Sequence, residues 1–347
     1  MRILAVLTVR NEGAFLLEWL AHHRAVGFTD FLVFSNDCDD GTDTMLDRLA
    51  DMGQLTHIRN PAPHPQGPQW EALKTASNHP LFAAADWAMV IDIDEFVNIH
   101  VGDHRIPDLL AALPDATAIP LTWRMFGNAG VVPFTDAPIR HSFTRAAPAI
   151  LHWPWRASLF KTLFKVSGAY TKFGVHRPRG ANTARLKDEH WFDGSGRALP
   201  AAFHKSRVMS PLGTDNFQLA QLNHYALGSM QSYLVKCDRG RANRDASIFD
   251  AGYWIDRNFS DANDTSILQL DAAAQPLIVH LKLDPALLSL HQIALAWRHT
   301  RFAALMQEEP WRALFGRLLL TPPSRALSPE LARLIWQHPR NGTSPKG

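Results

Sequence analysis

The 347-residue chain contains very little cysteine, which limits both its redox chemistry and its metal chemistry. Cys38 and Cys237 are too few and too far apart for a disulfide framework or a cysteine-based metal site. A reducing compartment is therefore the expected environment. The chain has no apolar run approaching the ~18 residues of a membrane span, and Met1 leads directly into a short apolar run that leaves no room for a signal peptide. We expect a cytoplasmic protein.

The chain also lacks a strong charge of either sign. Its 35 lysines and arginines oppose 33 aspartates and glutamates, for a net charge of +2. This balance argues against a general nucleic-acid binder, although basic residues concentrate after about residue 140 and leave a local anionic ligand open. With 46% hydrophobic and 20% charged residues the composition is that of a folded globular protein. The length predicts one main domain plus an appended part.

The first hundred residues alternate short apolar runs with amphipathic stretches. Apolar runs at residues 3–9, 31–34 and 55–59 predict strands, and helical stripes follow them at 12–26, at 45–49 and from residue 70. A segment with four prolines at 60–69 predicts a loop before the third helix. Strand and crossover helix, repeated three times, predict an α/β protein with a mostly parallel sheet flanked by helices.

Residues 87–96 carry the main functional hypothesis. Five apolar residues at 87–91 predict a strand buried on both faces, which runs into Asp92, Asp94 and Glu95. In an extended chain Asp92 and Asp94 share one side and Glu95 points to the other. Two adjacent like charges favour a bound cation, and Mg²⁺ or Mn²⁺ takes carboxylate oxygens together with phosphates. Two solvated aspartates in a loop are the alternative, but the carboxyl end of a central strand favours a ligand site.

Polar turns also follow the first two predicted strands. Thr8 to Glu12 follows one strand, and Asn36 to Asp40 follows the next, so the two turns are expected to lie side by side. Asparagine and aspartate also cap helices and adopt unusual turn dihedrals, so a structural role explains either turn alone. Three polar strand ends together favour a common site.

These motifs, in this order, resemble the nucleotide-diphospho-sugar-binding half of GT-A glycosyltransferases, specifically their family 2-like bacterial branch with a D-x-D-E-F motif. The resemblance is close from Met1 to about Gly130. It rests on T-x-x-N-E at 8–12, D-x-D-D-G-T at 37–42, a lysine-bearing helix and W-x-x-x-x-D-x-D-E-F at 87–96. Further matches are W-x-x-F-G-x-x-G at 123–130, H-Y-x-x-x-S from His224 and K-x-x-R-G from Lys236.

The resemblance implies a role for each motif. Asp92 and Asp94 match the pair whose metal ion, Mn²⁺ or Mg²⁺, bridges the donor diphosphate. The residues implied in nucleotide binding are Arg10, Asn11, Glu12, Asp37, Asp40 and Lys74, with Lys236 and Arg239 placed to neutralise the diphosphate. The chain departs from the usual family 2 form because Ser35 and Asn36 stand where two acidic residues follow the second strand. Lys74 and the cations near residue 236 also suit an ordinary solvated helix face or helix end.

Two histidines and one glutamate complete the predicted site. Many enzymes of the resembled fold add a later histidine to the metal site, which makes His224 a candidate third ligand and His176 a weaker one; a buried, hydrogen-bonded core histidine is the alternative. Glu95 is a candidate catalytic base, but strand alternation favours a structural role bonded to backbone or arginine. Asp188, Glu189 and Asp193 are later candidates for the base.

The chain beyond residue 130 is predicted to contain two further parts. Residues 131–270 are assigned to the acceptor-binding and site-closing half of the domain, and 271–347 to a helical C-terminal extension, with apolar stripes at 287–298, 302–306, 311–320 and 328–337. These helices are expected to pack on the main domain, which spans residues 1–270, or on a second copy in a homodimer. Basic amphipathic helices also leave peripheral contact with a membrane's inner face open.

The combined prediction is a metal-dependent glycosyltransferase. It moves a sugar from a nucleotide-diphosphate donor, a UDP-sugar first, to a hydroxyl of a glycan or lipid-linked acceptor, and it binds no nucleic acid. A different metal-dependent phosphoryl or nucleotidyl enzyme is one rival, although its aspartates usually follow the first strand. A non-catalytic carbohydrate-binding protein is the other, and it would have no need of the carboxylate pair.

Overall fold

The computed structural model describes residues 1–239 and 251–337. Its first ninety residues alternate strands and helices as the sequence predicts. The elements are β1 (Ile3–Val9), α1 (Gly13–Val26), β2 (Asp30–Ser35), α2 (Thr42–Asp51), β3 (Thr56–Arg59), α3 (Pro68–Ser77), α4 (Pro80–Ala84) and β4 (Trp87–Val90). The short α4 is absent from the prediction. Proline occupies its first turn, where no backbone N–H is needed, and the His79 side chain accepts a hydrogen bond from Leu81 N.

The second half is less regular. The elements up to residue 239 are β5 (Glu95–Ile99), α5 (Ile106–Ala112), β6 (Ala118–Met125), α6 (Ile139–Ser142), β7 (Arg145–Ala146), β8 (Phe160–Lys165), β9 (Tyr170–Lys172), β10 (Arg179–Ala181), α7 (Ala202–Lys205), β11 (Ala220–His224) and α8 (Met230–Arg239). From residue 251 the chain forms α9 (Ala251–Ile255), β12 (Ala262–Asn263), α10 (Asp271–Lys282), α11 (Pro285–Leu305), α12 (Glu309–Leu320) and α13 (Pro329–Trp336).

Eight strands form one central sheet in the order β3-β2-β1-β4-β8-β6-β11-β5. Strands β3, β2, β1 and β4 are parallel, and so are β6 and β11. Strand β8 is antiparallel to both β4 and β6, and β5 is antiparallel to β11. The predicted α/β fold with a mostly parallel sheet is confirmed, with antiparallel strands in its second half.

Helices and loops cover both faces of this sheet. Alternate residues of β1 show the division, because Ile3, Ala5 and Leu7 join one hydrophobic cluster and Leu4 and Val6 join another. A strand buried on both faces reads as a continuous apolar run, which explains why β1 and β4 were predictable from sequence. Polar turns follow the carboxyl ends of β1, β2 and β4.

The connection between β4 and β5 is unusually short for the distance it spans in the sheet. Only residues 91–94 separate the two strands along the chain, yet β8, β6 and β11 lie between them in the strand order. The central sheet is large and curled, and this curl brings the edge strand β5 back towards β4. Asp92 and Asp94 are part of this connection.

The C-terminal helices pack on the helices of the main domain. Helix α10 contacts α1, and α11 contacts α1, α2 and α8. The stripes at 287–298 and 302–306 belong to the single helix α11, because no glycine or proline separates them. The helical C-terminal extension is confirmed, whereas the domain boundaries stay a prediction. Within the described ranges, no helix combines the length and apolarity needed to cross a membrane.

Candidate functional site

The acidic cluster lies in a turn at the end of β4. Glu95 N donates a hydrogen bond to Asp92 O at 3.1 Å, so the chain turns here and does not stay extended. The prediction that strand alternation places Asp92 and Asp94 on one side and Glu95 on the other is therefore wrong. The Glu95 side chain reaches back and accepts a hydrogen bond from Asp92 N at 2.8 Å.

Asp92 is paired with a lysine from the middle of the sheet. Lys161 on β8 is fully buried, and its Nζ lies 2.9 Å from Asp92 Oδ2. Gln69, in the first turn of α3, donates to the other oxygen of Asp92 at 3.2 Å. Burial would lower the pKa of Lys161, but Asp92 and Glu95 hold it above its usual range. The negative charge of Asp92 is thus balanced by the buried ammonium group of Lys161.

Asp94 faces a second lysine and a histidine. Lys236 Nζ on α8 lies 2.6 Å from Asp94 Oδ2, and His224 Nε2 at the end of β11 lies 3.7 Å from the same oxygen. Burial would raise the pKa of the Asp94 carboxyl, but Lys236 and His224 hold it well below its usual range. Burial lowers the pKa of His224, and the nearby charge of Lys236 lowers it further. Asp94 acts in the opposite direction and does not compensate for these effects. Asp94 is therefore ionised and His224 neutral near pH 7.

Glu95 is fully buried between two donors and a cation. Trp123 Nε1 donates to Glu95 Oε1 at 2.7 Å, and Lys161 Nζ lies 3.7 Å from Oε2, which also accepts from Asp92 N. Burial raises the pKa of Glu95, and the neighbouring aspartates act in the same direction. A carboxyl group with no exposed surface cannot contact an acceptor hydroxyl. The geometry favours the structural alternative for Glu95 over the role of catalytic base.

The two candidate histidines lie around Trp123. The His224 ring centroid is 4.2 Å from that of Trp123, and the His176 centroid is 5.7 Å from it. His176 Nδ1 lies 2.9 Å from Phe160 O, and burial lowers the pKa of His176 to about 4. His176 is thus a neutral, backbone-bonded histidine, as the core alternative predicts. His224 is the histidine that reaches an aspartate of the motif.

The turn after β1 is held by partners from three elements. Asn11 has a positive φ of 53°, and its side chain exchanges hydrogen bonds with Asp39 in the turn after β2. Glu12 forms ion pairs with Arg239 of α8 and Arg298 of α11. Arg239 also donates to Arg10 O at 2.7 Å. The structure therefore brings together four of the predicted nucleotide-binding residues, Arg10, Asn11, Glu12 and Arg239. Two of them, Glu12 and Arg239, form an ion pair with each other.

The acidic residues of the second turn differ in accessibility. Asp40 is buried, accepts hydrogen bonds from Thr42 N at 2.9 Å and Gly13 N at 3.1 Å, and so joins the two turns. Asp37 is exposed with a positive φ of 43°. Lys74 is exposed on α3, five residues beyond Gln69. The contacts of Asp40 are those of a structural residue, and nucleotide binding by Asp37 and Lys74 stays a prediction.

The donor set at Asp94 fits a divalent cation that brings further ligands with it. Asp94 offers a carboxylate oxygen and His224 a neutral imidazole, and both are common donors to Mn²⁺. His224 Nδ1 is buried without a hydrogen-bond partner among the described residues, and Lys236 places a positive charge beside Asp94. Across residues 1–239 and 251–337, no three metal-binding side chains converge. Asp92 does not join Asp94 and His224, so the predicted three-ligand site is not assembled.

Sequence reasoning missed three residues of this site. Lys161 interrupts the mostly apolar stretch of residues 159–164, and a lysine within such a stretch was a usable signal of a buried cation. Gln69 lies at the proline-marked start of α3, and Trp123 begins the W-x-x-F-G motif. Their contacts with Asp92 and Glu95 join residues 23 to 69 positions apart, which no local pattern encodes.

Comparison with solved structures finds glycosyltransferases at low similarity. TarS of S. aureus is 13% identical with a TM-score of 0.30, and the match covers 76% of this chain and 44% of that one. The galactosyltransferase LgtC, in complex with donor and acceptor sugar analogues, is 14% identical with a TM-score of 0.31, covering 72% of this chain and 95% of that one.

Comparison with known sequences identifies the family. A glycosyltransferase family 92 protein of Ricinus communis is 28% identical over 98 residues, which are 27% of this chain and 16% of that protein. The chain thus matches only a small part of this relative's length. The model of Glycosyltransferase family 92 matches residues 6–191, more than half of the chain. The chain therefore belongs to glycosyltransferase family 92, which confirms the predicted resemblance to a glycosyltransferase family and shows that its family 2 branch is wrong.

Proposed function

We propose that this chain transfers a sugar from a nucleoside-diphosphate donor, a UDP-sugar first, to a hydroxyl of a glycan or lipid-linked acceptor, and that it uses Mn²⁺ or Mg²⁺. Membership of a glycosyltransferase family supports the reaction class. The observation that carries the donor chemistry is the convergence of Asp94, His224 and Lys236 where β4 ends. This edge of an α/β sheet is where such proteins bind their ligands.

The leaving group of this reaction is a nucleoside diphosphate, so negative charge develops on its bridging oxygen as the sugar departs. Fixed positive charge aimed at that oxygen lowers the barrier. Lys236 is the cation of the cluster with some exposed surface, whereas Lys161 has none. A divalent ion held by Asp94 and His224 would add Lewis-acid neutralisation of the diphosphate.

The nucleoside is proposed to lie over the turns after β1 and β2. Asn11 and Asp39 fix these turns against each other, and the buried Asn36 accepts a hydrogen bond from Asn60 at 2.5 Å, which ties the second turn to the loop after β3. Asp37 is exposed in the second turn. Base and ribose contacts from Arg10, Asn11 and Asp37 follow from this placement.

A thermal-shift screen of the purified chain tests the proposal. Nucleoside diphosphates and monophosphates are compared in EDTA, Mg²⁺ and Mn²⁺. We expect one nucleoside diphosphate, UDP first, to raise the melting temperature more than its monophosphate, and more with metal than with EDTA. Inorganic pyrophosphate controls for charge alone. Equal effects from all nucleotides, or none with metal, would contradict the proposal.

A further inference from the structure

Lys236 occupies the position beside Asp94 that a bound cation would need. Its Nζ donates to Asp94 Oδ2 at 2.6 Å and to Ala226 O at 2.6 Å, and the Asp94 oxygen it contacts is the one nearest His224 Nε2. An ammonium group and a divalent ion on one carboxylate repel each other, since both are positive, so the Lys236 ammonium weakens metal binding at Asp94. Metal binding is therefore expected to tighten when Lys236 leaves Asp94.

The two lysines of the site differ in their freedom to do so. The Lys161 side chain has no exposed surface and is held between Asp92 and Glu95 inside the sheet. The Lys236 side chain retains 12% of its exposure and comes from the last turn of α8. Lys236 is thus the lysine that a bound ligand can reach, whereas Lys161 is enclosed with Asp92 and Glu95.

The protein side of the metal site is incomplete on its own. Asp94 and His224 supply two donors, and Asp92 is committed to Lys161 and Gln69. Ions such as Mg²⁺ complete their coordination with water and substrate phosphate. A diphosphate supplies both the missing oxygen ligands and a new anionic partner for the Lys236 ammonium.

We propose that Lys236 is an exchangeable counter-ion that makes binding of the metal and of the diphosphate depend on each other. Without donor, Lys236 neutralises Asp94 and opposes metal binding. With donor, Lys236 moves from Asp94 to a phosphate oxygen, and Asp94 becomes available to the metal. This inference rests on the proposed function. It adds that the metal binds weakly to the protein alone and tightly when the nucleotide is bound.

Mn²⁺ binding, followed by electron paramagnetic resonance with and without UDP, tests the exchange directly. In the unmodified chain we expect UDP to tighten Mn²⁺ binding at least tenfold, and by linkage Mn²⁺ to tighten UDP binding equally. In Lys236→Met, Mn²⁺ is expected to bind at least tenfold more tightly without UDP, and the coupling is expected to fall to the part that direct ligation of the metal by the diphosphate supplies. The matched control is Lys282→Met, which removes the lysine at the end of α10 and its ion pair with Asp136. This variant should keep the coupling between Mn²⁺ and UDP binding.

A second pair of variants guards against a folding defect in Lys236→Met. In EDTA, Asp94→Asn is expected to bind UDP several-fold more tightly than the unmodified chain, because Lys236 is then released from the carboxylate. The double variant Asp94→Asn, Lys236→Met should lose this gain, which separates the role of Lys236 from simple removal of a negative charge. Circular dichroism confirms the fold of each variant.

The outcomes distinguish the two proposals. If UDP and Mn²⁺ bind together in the unmodified chain and Lys236→Met shows the same coupling, the exchange is refuted and the proposed function stands. A gain in UDP affinity that persists in the double variant also refutes the exchange. If the unmodified chain binds no Mn²⁺ even with UDP, both the exchange and the metal-dependent function are overturned.

Discussion

Lys161 Nζ lies 2.9 Å from Asp92 Oδ2 although the Lys161 side chain has no exposed surface. The pair joins β8, the antiparallel strand between β4 and β6, to the turn that ends β4. A buried charge is tolerated only when it is paired, and here Glu95 shares in the pairing. The same contact therefore stabilises the sheet and fixes the acidic turn.

Replacing Lys161 by methionine is expected to destabilise the protein strongly. The substitution leaves the part-exposed Asp92 and the buried Glu95 without their shared cation, which costs about 1–3 kcal/mol of unfolding free energy, since water reaches Asp92 and Glu95 can bind a proton. Urea denaturation followed by tryptophan fluorescence measures the loss. Lys165→Met on the same strand is the control, because Lys165 is exposed, and its effect should stay within about 0.5 kcal/mol. Equal losses in the two variants would show that the pair contributes nothing to stability.

Asp94→Asn is expected to lower metal-dependent UDP-sugar turnover by about 100-fold or more, because charge stabilisation by a bound metal contributes several kcal/mol. Steady-state kinetics at saturating Mn²⁺ measure the loss. Asp136→Asn serves as the control, since Asp136 pairs with His291 and Lys282 and has no contact with the acidic turn. Full turnover of Asp94→Asn in the presence of chelator would remove Asp94 from the mechanism.

Gly127→Ala should destabilise the fold because the backbone of another segment occupies the space of a side chain. A Cβ at Gly127 would lie 2.1 Å from Phe259 O and 2.8 Å from Phe259 C. Such overpacking costs about 3 kcal/mol. Gly316→Ala in α12, with nothing within 4 Å, should instead gain up to about 1 kcal/mol. Thermal unfolding of both variants tests the contrast. If Gly127→Ala left the melting temperature unchanged, the close approach of Phe259 would not explain why the W-x-x-F-G motif has glycine at position 127.

Acid should destabilise the protein below about pH 6.5 partly through His23. Burial lowers the pKa of His23 to about 3, so the unfolded chain binds a proton that the folded chain excludes between pH 3 and 6.5. Stability from this group is complete above the unfolded pKa and decreases as the pH falls, by about 2 kcal/mol at pH 5. Denaturation between pH 4 and 7 measures the slope.

The matched variants for this slope are His23→Gln and His280→Gln. His23→Gln should flatten the slope even though it lowers stability at pH 7, because His23 bonds Trp19 O. His280 is exposed on α10, and its replacement should leave the slope unchanged. An unchanged slope in His23→Gln would assign the acid sensitivity to other groups.

The sequence predicted those parts of the fold that local patterns determine. Strands β1 and β4 followed from apolar runs, and α1 followed from the helical stripe at 12–26. The turn at Asp92 was not predictable, because the backbone bond from Glu95 N to Asp92 O depends on where β5 must go. The insertion of β8 beside β4 was equally hidden, since it depends on contacts 69 or more residues apart.

The link at residues 91–94 preorganises the site by its length. Five backbone steps from Val90 to Glu95 span at most about 18 Å, whereas four strand spacings in a flat sheet require about 19 Å. A flat sheet would need this link almost fully extended, and the turn bond from Glu95 N to Asp92 O shortens it, so the sheet must curl while the turn is intact. Covalent reach, and not only side-chain contact, thus limits how far β11 with His224 can separate from Asp94, so any adjustment to a bulkier donor must come from the surrounding loops.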